Sequence, residues 1–71
     1  MELTAGQVYQ HFKGNRYRIV AIARHSETLE ELVIYQALYG EYGIWARPKD
    51  MFCGETTVGG KPVKRFTYVE G

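Results

Sequence analysis

Branched and aromatic residues recur along the chain in short runs, each closed by a cluster of turn formers. The turn signals are Gly14-Asn15, Ser26-Glu27-Thr28, Gly40 to Gly43, Pro48 to Asp50, Gly54 and Gly59-Gly60. Short β-prone runs at such intervals predict a sandwich or barrel. The runs place strands over Gln7 to Phe12, Tyr17 to Arg24, Leu32 to Tyr39 and Ile44 to Arg47. Proline ends the fourth run and pre-sets φ for a helical start, so Pro48 to Phe52 reads as a single tight 3-10 turn. Met51 or Phe52 is expected to plug the end of the barrel, with Lys49 and Asp50 facing water. A last hairpin joins Thr56 to Val58 with Val63 to Val69, because Gly59-Gly60 supplies the positive φ that a two-residue turn demands.

Within each strand the alternation assigns faces. Arg16, Arg18 and Arg24 share one face of the second strand, and Tyr17, Ile19, Ala21 and Ala23 share the other, assigned to the core. Val20 and Ile22 interrupt the arginine face, which predicts a strand that is curved or partly covered on both sides. In the first strand Gln7, Tyr9 and His11 oppose Val8, Gln10 and Phe12. The third run has a rival: Leu29, Leu32, Val33 and Ala37 fall at helical spacing, Thr28 with Glu31 makes a capping box, and Gly40 would stop the helix. The cluster Val33-Ile34-Tyr35 and the equal length of Tyr17 to Arg24, a natural pairing partner, favour the strand. The fold class read from the chain is all-β: a small SH3-like antiparallel barrel of about five or six strands with one short 3-10 turn. It occupies residues 1–71 as a single domain, with its core between about 7 and 69.

Composition narrows the chemistry. A chain of 71 residues builds one small core, and Cys53, the single cysteine, allows neither an internal disulfide nor a cysteine-rich zinc site. The apolar fraction of 45% has to supply the core unaided. A net charge of +1 lacks the basic excess usual in proteins that live on nucleic acid. The start Met1-Glu2-Leu3-Thr4-Ala5-Gly6 lacks the basic and apolar pattern of a secretory signal, and no run is long enough to span a bilayer, so the expected address is cytoplasmic.

Few residues offer reactive chemistry. His25-Ser26-Glu27-Thr28 holds the parts of acid–base catalysis, but sequence neighbours in an extended chain point to opposite sides, and a hydrogen-bonded turn explains the segment. His11, His25 and Cys53 are not spaced as metal ligands. Gly40-Glu41-Tyr42-Gly43 places an acid where a phosphate loop needs a lysine. Tyr39, Tyr42, Trp45 and Arg47 are different: aromatic rings beside an arginine are how small barrels grip peptides or stack nucleobases. Trp45 is read as core or half-core, with Tyr39 and Tyr42 exposed in a loop. Lys61, Lys64 and Arg65 form a small basic edge that protects a strand from pairing.

The stretches His11-Phe12-Lys13-Gly14, His25-Ser26-Glu27-Thr28, Val33-Ile34-Tyr35-Gln36-Ala37-Leu38-Tyr39-Gly40 and Trp45-Ala46-Arg47-Pro48 together resemble the bacterial domain-of-unknown-function family numbered 1653. The likeness runs from about Val8 to Tyr68. It implies a stand-alone bacterial β-barrel domain, supports the extended form of Leu32 to Tyr39 and weakens any role built on the Cys53 thiol, and it brings no activity with it. The function read from the residues is a non-enzymatic binding module that needs no cofactor or metal. Its expected partner is a peptide segment of another protein, preferred to single-stranded RNA, and not a membrane. Its expected binding residues are His25, Glu27, Tyr39, Tyr42, Trp45 and Arg47. The alternative is a small enzyme or ligand-binding domain centred on His11, His25 and Glu27. The exposed tyrosines would also serve as a homodimer seam.

Overall fold

The computed structural model of the protein describes residues 3–71. Among these residues, seven strands and one helical turn follow in the order β1 (Val8–His11), β2 (Arg16–Arg24), β3 (Glu31–Ala37), β4 (Ile44–Pro48), α1 (Lys49–Cys53), β5 (Glu55–Val58), β6 (Lys61–Lys64) and β7 (Phe66–Glu70). The third run is a strand, paired on both sides: Tyr35 stands opposite Ile19 of β2 and opposite Trp45 of β4. Branched and ring-bearing side chains gain more from cross-strand packing than a helix would return, so local propensity and tertiary pairing agree.

All pairing is antiparallel, in a five-stranded sheet ordered β4-β3-β2-β1-β7 and a separate hairpin of β5 and β6. The expected closed barrel of five or six strands is corrected here: β4 and β7 are the two edges of the large sheet and do not pair with each other. The reason lies at Arg65, which cuts the predicted run Val63 to Val69. Its amide donates to the Gly54 carbonyl at 3.0 Å, and its guanidinium donates to the carbonyls of Met51 at 3.1 Å and Glu55 at 3.4 Å. The chain is thereby pinned beside α1, β6 stays with β5, and only Phe66 onward reaches β1. The Gly59-Gly60 turn has the positive φ expected of it, 58° and 80°.

The helical turn is α-helical rather than 3-10, and Pro48 caps its start with φ −51°. Phe52 is the plug, 1% exposed, while Met51 stays half in water. Phe52 stacks on Phe66 with ring centroids 4.0 Å apart and meets Tyr9 edge-on at 5.4 Å. With Ile19, Val33 and Tyr35 these rings form the buried cluster on one face of the large sheet.

Two bulges alter the simple alternation. Between Ile19 and Ala21 the register with β3 shifts, so Val20 is the extra residue. Tyr17 and Ile19 face the core before it, and Ile22, opposite the fully buried Val33, faces the core after it. The expected core assignment of Ala21 and Ala23 fails for that reason, since one inserted residue exchanges the two faces of everything beyond it. A second shift, against β7, accompanies the burial of the neighbours Val8 and Tyr9. No helix among the described residues is long and apolar enough to cross a membrane.

Candidate functional site

The hairpin of β3 and β4 brings Tyr39, Tyr42, Trp45 and Arg47 to one end and one edge of the large sheet. Arg47 lies opposite Val33, and Trp45 opposite Tyr35, so both project from the core face. Arg47 is anchored: its Nε donates to the Tyr35 hydroxyl at 3.3 Å, and its guanidinium carbon sits 5.7 Å from the centroid of the Phe66 ring. Trp45 is 59% exposed. Its indole leans over Gly43, where an added Cβ would stand 3.3 Å from Trp45 Nε1, so the small residue in the turn leaves room for the ring. The expectation of a core or half-core Trp45 gives way to an exposed ring at a sheet edge.

Tyr39 and Tyr42 are exposed, as the loop composition predicts. The hydroxyls of Tyr39 and Tyr17 share a hydrogen bond of 2.7 Å, and their rings meet edge-on at 5.6 Å. Tyr17 in turn packs against Tyr35 and Phe66. Burial, and then the hydrogen bond from Tyr39, push the Tyr17 phenol up to about 12, so it is a neutral donor and acceptor at any physiological pH. Tyr42 takes a left-handed backbone, φ 57°, rare outside glycine and asparagine. The turn is held by the Tyr42 amide donating to the Tyr39 carbonyl at 3.1 Å and by Gln36 Nε2 donating to the Tyr42 carbonyl at 3.0 Å.

β4 is an edge strand, and its pairing decides which groups it offers. The Ala37 amide donates to the Gly43 carbonyl at 2.9 Å. Hydrogen-bonded pairs alternate in an antiparallel ladder, so Tyr35 with Trp45 and Val33 with Arg47 exchange bonds inward. The amides and carbonyls of Ile44 and Ala46 are left facing outward. Ile44 is 61% exposed, and together with Trp45 it makes this edge apolar as well as unpaired.

His25 and Glu27 are not part of this arrangement. They lie in the turn between β2 and β3, beyond the pair Arg24 and Glu31, whereas Tyr39 and Tyr42 follow Ala37 at the opposite end of the same ladder. Seven residues of β3 separate the two ends, roughly 20 Å at an extended rise. His25 ties its own turn together, with Nδ1 accepting the amides of Glu27 at 3.1 Å and Thr28 at 3.3 Å. The alternative centre built on His11, His25 and Glu27 is likewise taken apart, because His11 pairs beside the start of β2 and His25 follows its end. Among the described residues no group of three His, Cys, Asp or Glu side chains could hold a metal.

Sequence reasoning left out Tyr17, Tyr35, Phe66 and His11 as supports of this surface. His11 packs against Phe66 at 5.0 Å and Tyr17 at 6.5 Å, and its Nδ1 accepts the Lys13 amide. Burial lowers its pKa, and the positive charges of Arg47, Lys13 and Arg65 lower it further. The signal for Tyr17 and Tyr35 was present in their shared parity with Ile19 and Trp45. The chain thus offers phenols, an indole, a guanidinium and outward backbone groups, which can hold an extended ligand.

The family model described as "Protein of unknown function (DUF1653)" matches residues 7–68. A crystal structure of a DUF1653 protein from Bordetella bronchiseptica is similar over 97% of this chain and 90% of that one, with a TM-score of 0.83 and 34% sequence identity. No curated protein matches the sequence.

Proposed function

We propose that this chain, which belongs to the DUF1653 family of proteins of unknown function, is a non-enzymatic module that binds a peptide segment of a partner protein along the free edge of β4. The observation that carries this reading is the coincidence of an unpaired strand edge at Ile44 and Ala46 with the exposed rings of Tyr39, Tyr42 and Trp45. An extended peptide added there gains main-chain hydrogen bonds from the edge, and the rings choose its side chains. Arg47 is held in place by Tyr35 and Phe66, so little side-chain entropy is lost when it meets a partner. In this reading the curved sheet, with Phe52 of α1 filling its open side, is an SH3-like half-open barrel at work in a bacterial cytoplasm. His25 and Glu27 drop out of the binding set, being at the far end of the ladder.

A random peptide display library is the first test. Selected peptides are expected to bind the wild-type chain and to lose about tenfold in affinity with Trp45→Ala, the loss typical of one exposed aromatic anchor. Single-stranded polyuridine binding at the same surface, with an affinity that falls steeply as salt is added, would replace the peptide reading by the RNA one. Selected peptides indifferent to Trp45→Ala would remove this surface from consideration.

A further inference from the structure

A concavity lies away from the β4 edge, where β1 and β7 of the large sheet meet α1 and the β5–β6 hairpin. It is a pocket of about 210 Å³ whose walls are the rings of Tyr9, Phe52, Phe66 and Tyr68, with Cys53 and Lys64 also in its lining. Tyr9 and Tyr68 stand opposite each other in the β1–β7 ladder and meet edge-on at 5.7 Å, so two walls are fixed by strand register. Phe52 and Phe66 are the stacked pair at the centre of the core, so the floor is as rigid as the fold itself. Among the described residues Lys64 carries the only charge in the lining. It forms no ion pair among them: Glu55 faces it across the hairpin, yet the one salt bridge there joins Lys49 to Glu31.

Size and charge together select a ligand. An apolar cavity of about 150 Å³ holds one benzene ring, and drug-sized ligands fill about 300 Å³ or more, so this volume suits a single ring with a short substituent. A lysine among aromatic walls favours an anionic substituent in the ligand, because its ammonium offers a charge-assisted hydrogen bond while the ring displaces water from the apolar part. We propose that this pocket is a binding site for a small monocyclic aromatic carboxylate, with the ring between Tyr9, Phe52, Phe66 and Tyr68 and the carboxylate on Lys64. The site is separate from the peptide edge and does not depend on it.

Cys53, exposed and the sole thiol of the chain, is a built-in reporter of occupancy. Its alkylation by iodoacetamide, a neutral reagent, is measured with phenylacetate, benzyl alcohol or acetate added. Phenylacetate is expected to slow the reaction saturably, by about tenfold at ten times its dissociation constant, as mass action requires. Acetate and benzyl alcohol should protect far more weakly. Lys64→Met, at an exposed position, should leave the fold intact and cost phenylacetate about tenfold in affinity, the share of one exposed charge-assisted hydrogen bond. An unchanged alkylation rate with phenylacetate overturns the proposal. So does equal protection by acetate, which would be a charge effect at the thiol, or equal protection by benzyl alcohol with Lys64→Met silent, which would leave an apolar dent without anion selectivity.

Discussion

Tyr42 and His11 show how single residues carry cost and function in this chain. Tyr42 holds φ at 57° with its ring in water, a backbone state that costs a side chain other than asparagine about 1 kcal/mol or more. Strain of this kind tends to persist where it serves a site. Tyr42→Asn should therefore raise stability by up to about 1 kcal/mol in urea unfolding while weakening selected peptides, a trade between stability and recognition. An Asn variant that is destabilised would show that the ring holds the turn together. At His11 the direction of titration is set by its surroundings. Burial first, and then Arg47, Lys13 and Arg65, hold its folded pKa below the usual 6.5. The unfolded chain thus takes up that proton at a higher pH than the folded one. The stability gained from neutral His11 is present above the usual value and is lost as pH falls through the folded value. An NMR titration should place the His11 midpoint below 6.5 and move it upward in Arg47→Gln, since a cation has been removed. A midpoint at or above the usual value would mean that His11 is not enclosed as described.

Among the elements, β4 is the one whose bonding pattern makes a sharp prediction. Its outward amides belong to Ile44 and Ala46, and proline is tolerated in a strand only where the missing N–H faced solvent. Ala46→Pro should keep the far-ultraviolet signature and cooperative unfolding of the wild type yet abolish peptide addition at the edge. Unfolding of this variant would place the Ala46 amide inside the ladder instead. The elements also show what could be read before the structure. Val33-Ile34-Tyr35 identified β3 because branched and aromatic side chains outweighed a helical spacing that Thr28 and Glu31 would have capped. The bulge at Val20 left only a trace, the apolar interruption of the arginine face, and alternation alone could not say where parity changed. Nothing in Lys64-Arg65-Phe66 announces a break, since the break is made by carbonyls of Met51, Gly54 and Glu55 that come close only in the folded chain. The candidate site was legible where residues shared one hairpin, as with Tyr39, Tyr42, Trp45 and Arg47. It was not legible for His25 and Glu27, because loop composition reports exposure and not which end of a ladder a loop occupies.

At the scale of the whole molecule, a small core is surrounded by consequences of its size. A chain this short buries about 60% of the surface its unfolded form exposes, so nearly every core ring has one neighbour that reaches water. That is how Tyr17 links buried Tyr35 to exposed Tyr39, and how Arg47 links Phe66 to the β4 edge. An open sheet with an apolar edge invites pairing with another chain, and natural proteins usually blunt such edges with charge or proline. Here Pro48 closes one end of β4, and Ile44 to Ala46 stay bare. The central claim is that this edge is kept free for a partner strand, and amide hydrogen exchange tests it most directly. In the free protein Trp45 and Arg47 should exchange slowly and Ile44 and Ala46 fast; a display-selected peptide should slow Ile44 and Ala46 and leave the His25–Glu27 turn unchanged. Even protection along β4 in the free chain, or a bound peptide that leaves Ile44 and Ala46 fast, would contradict the account.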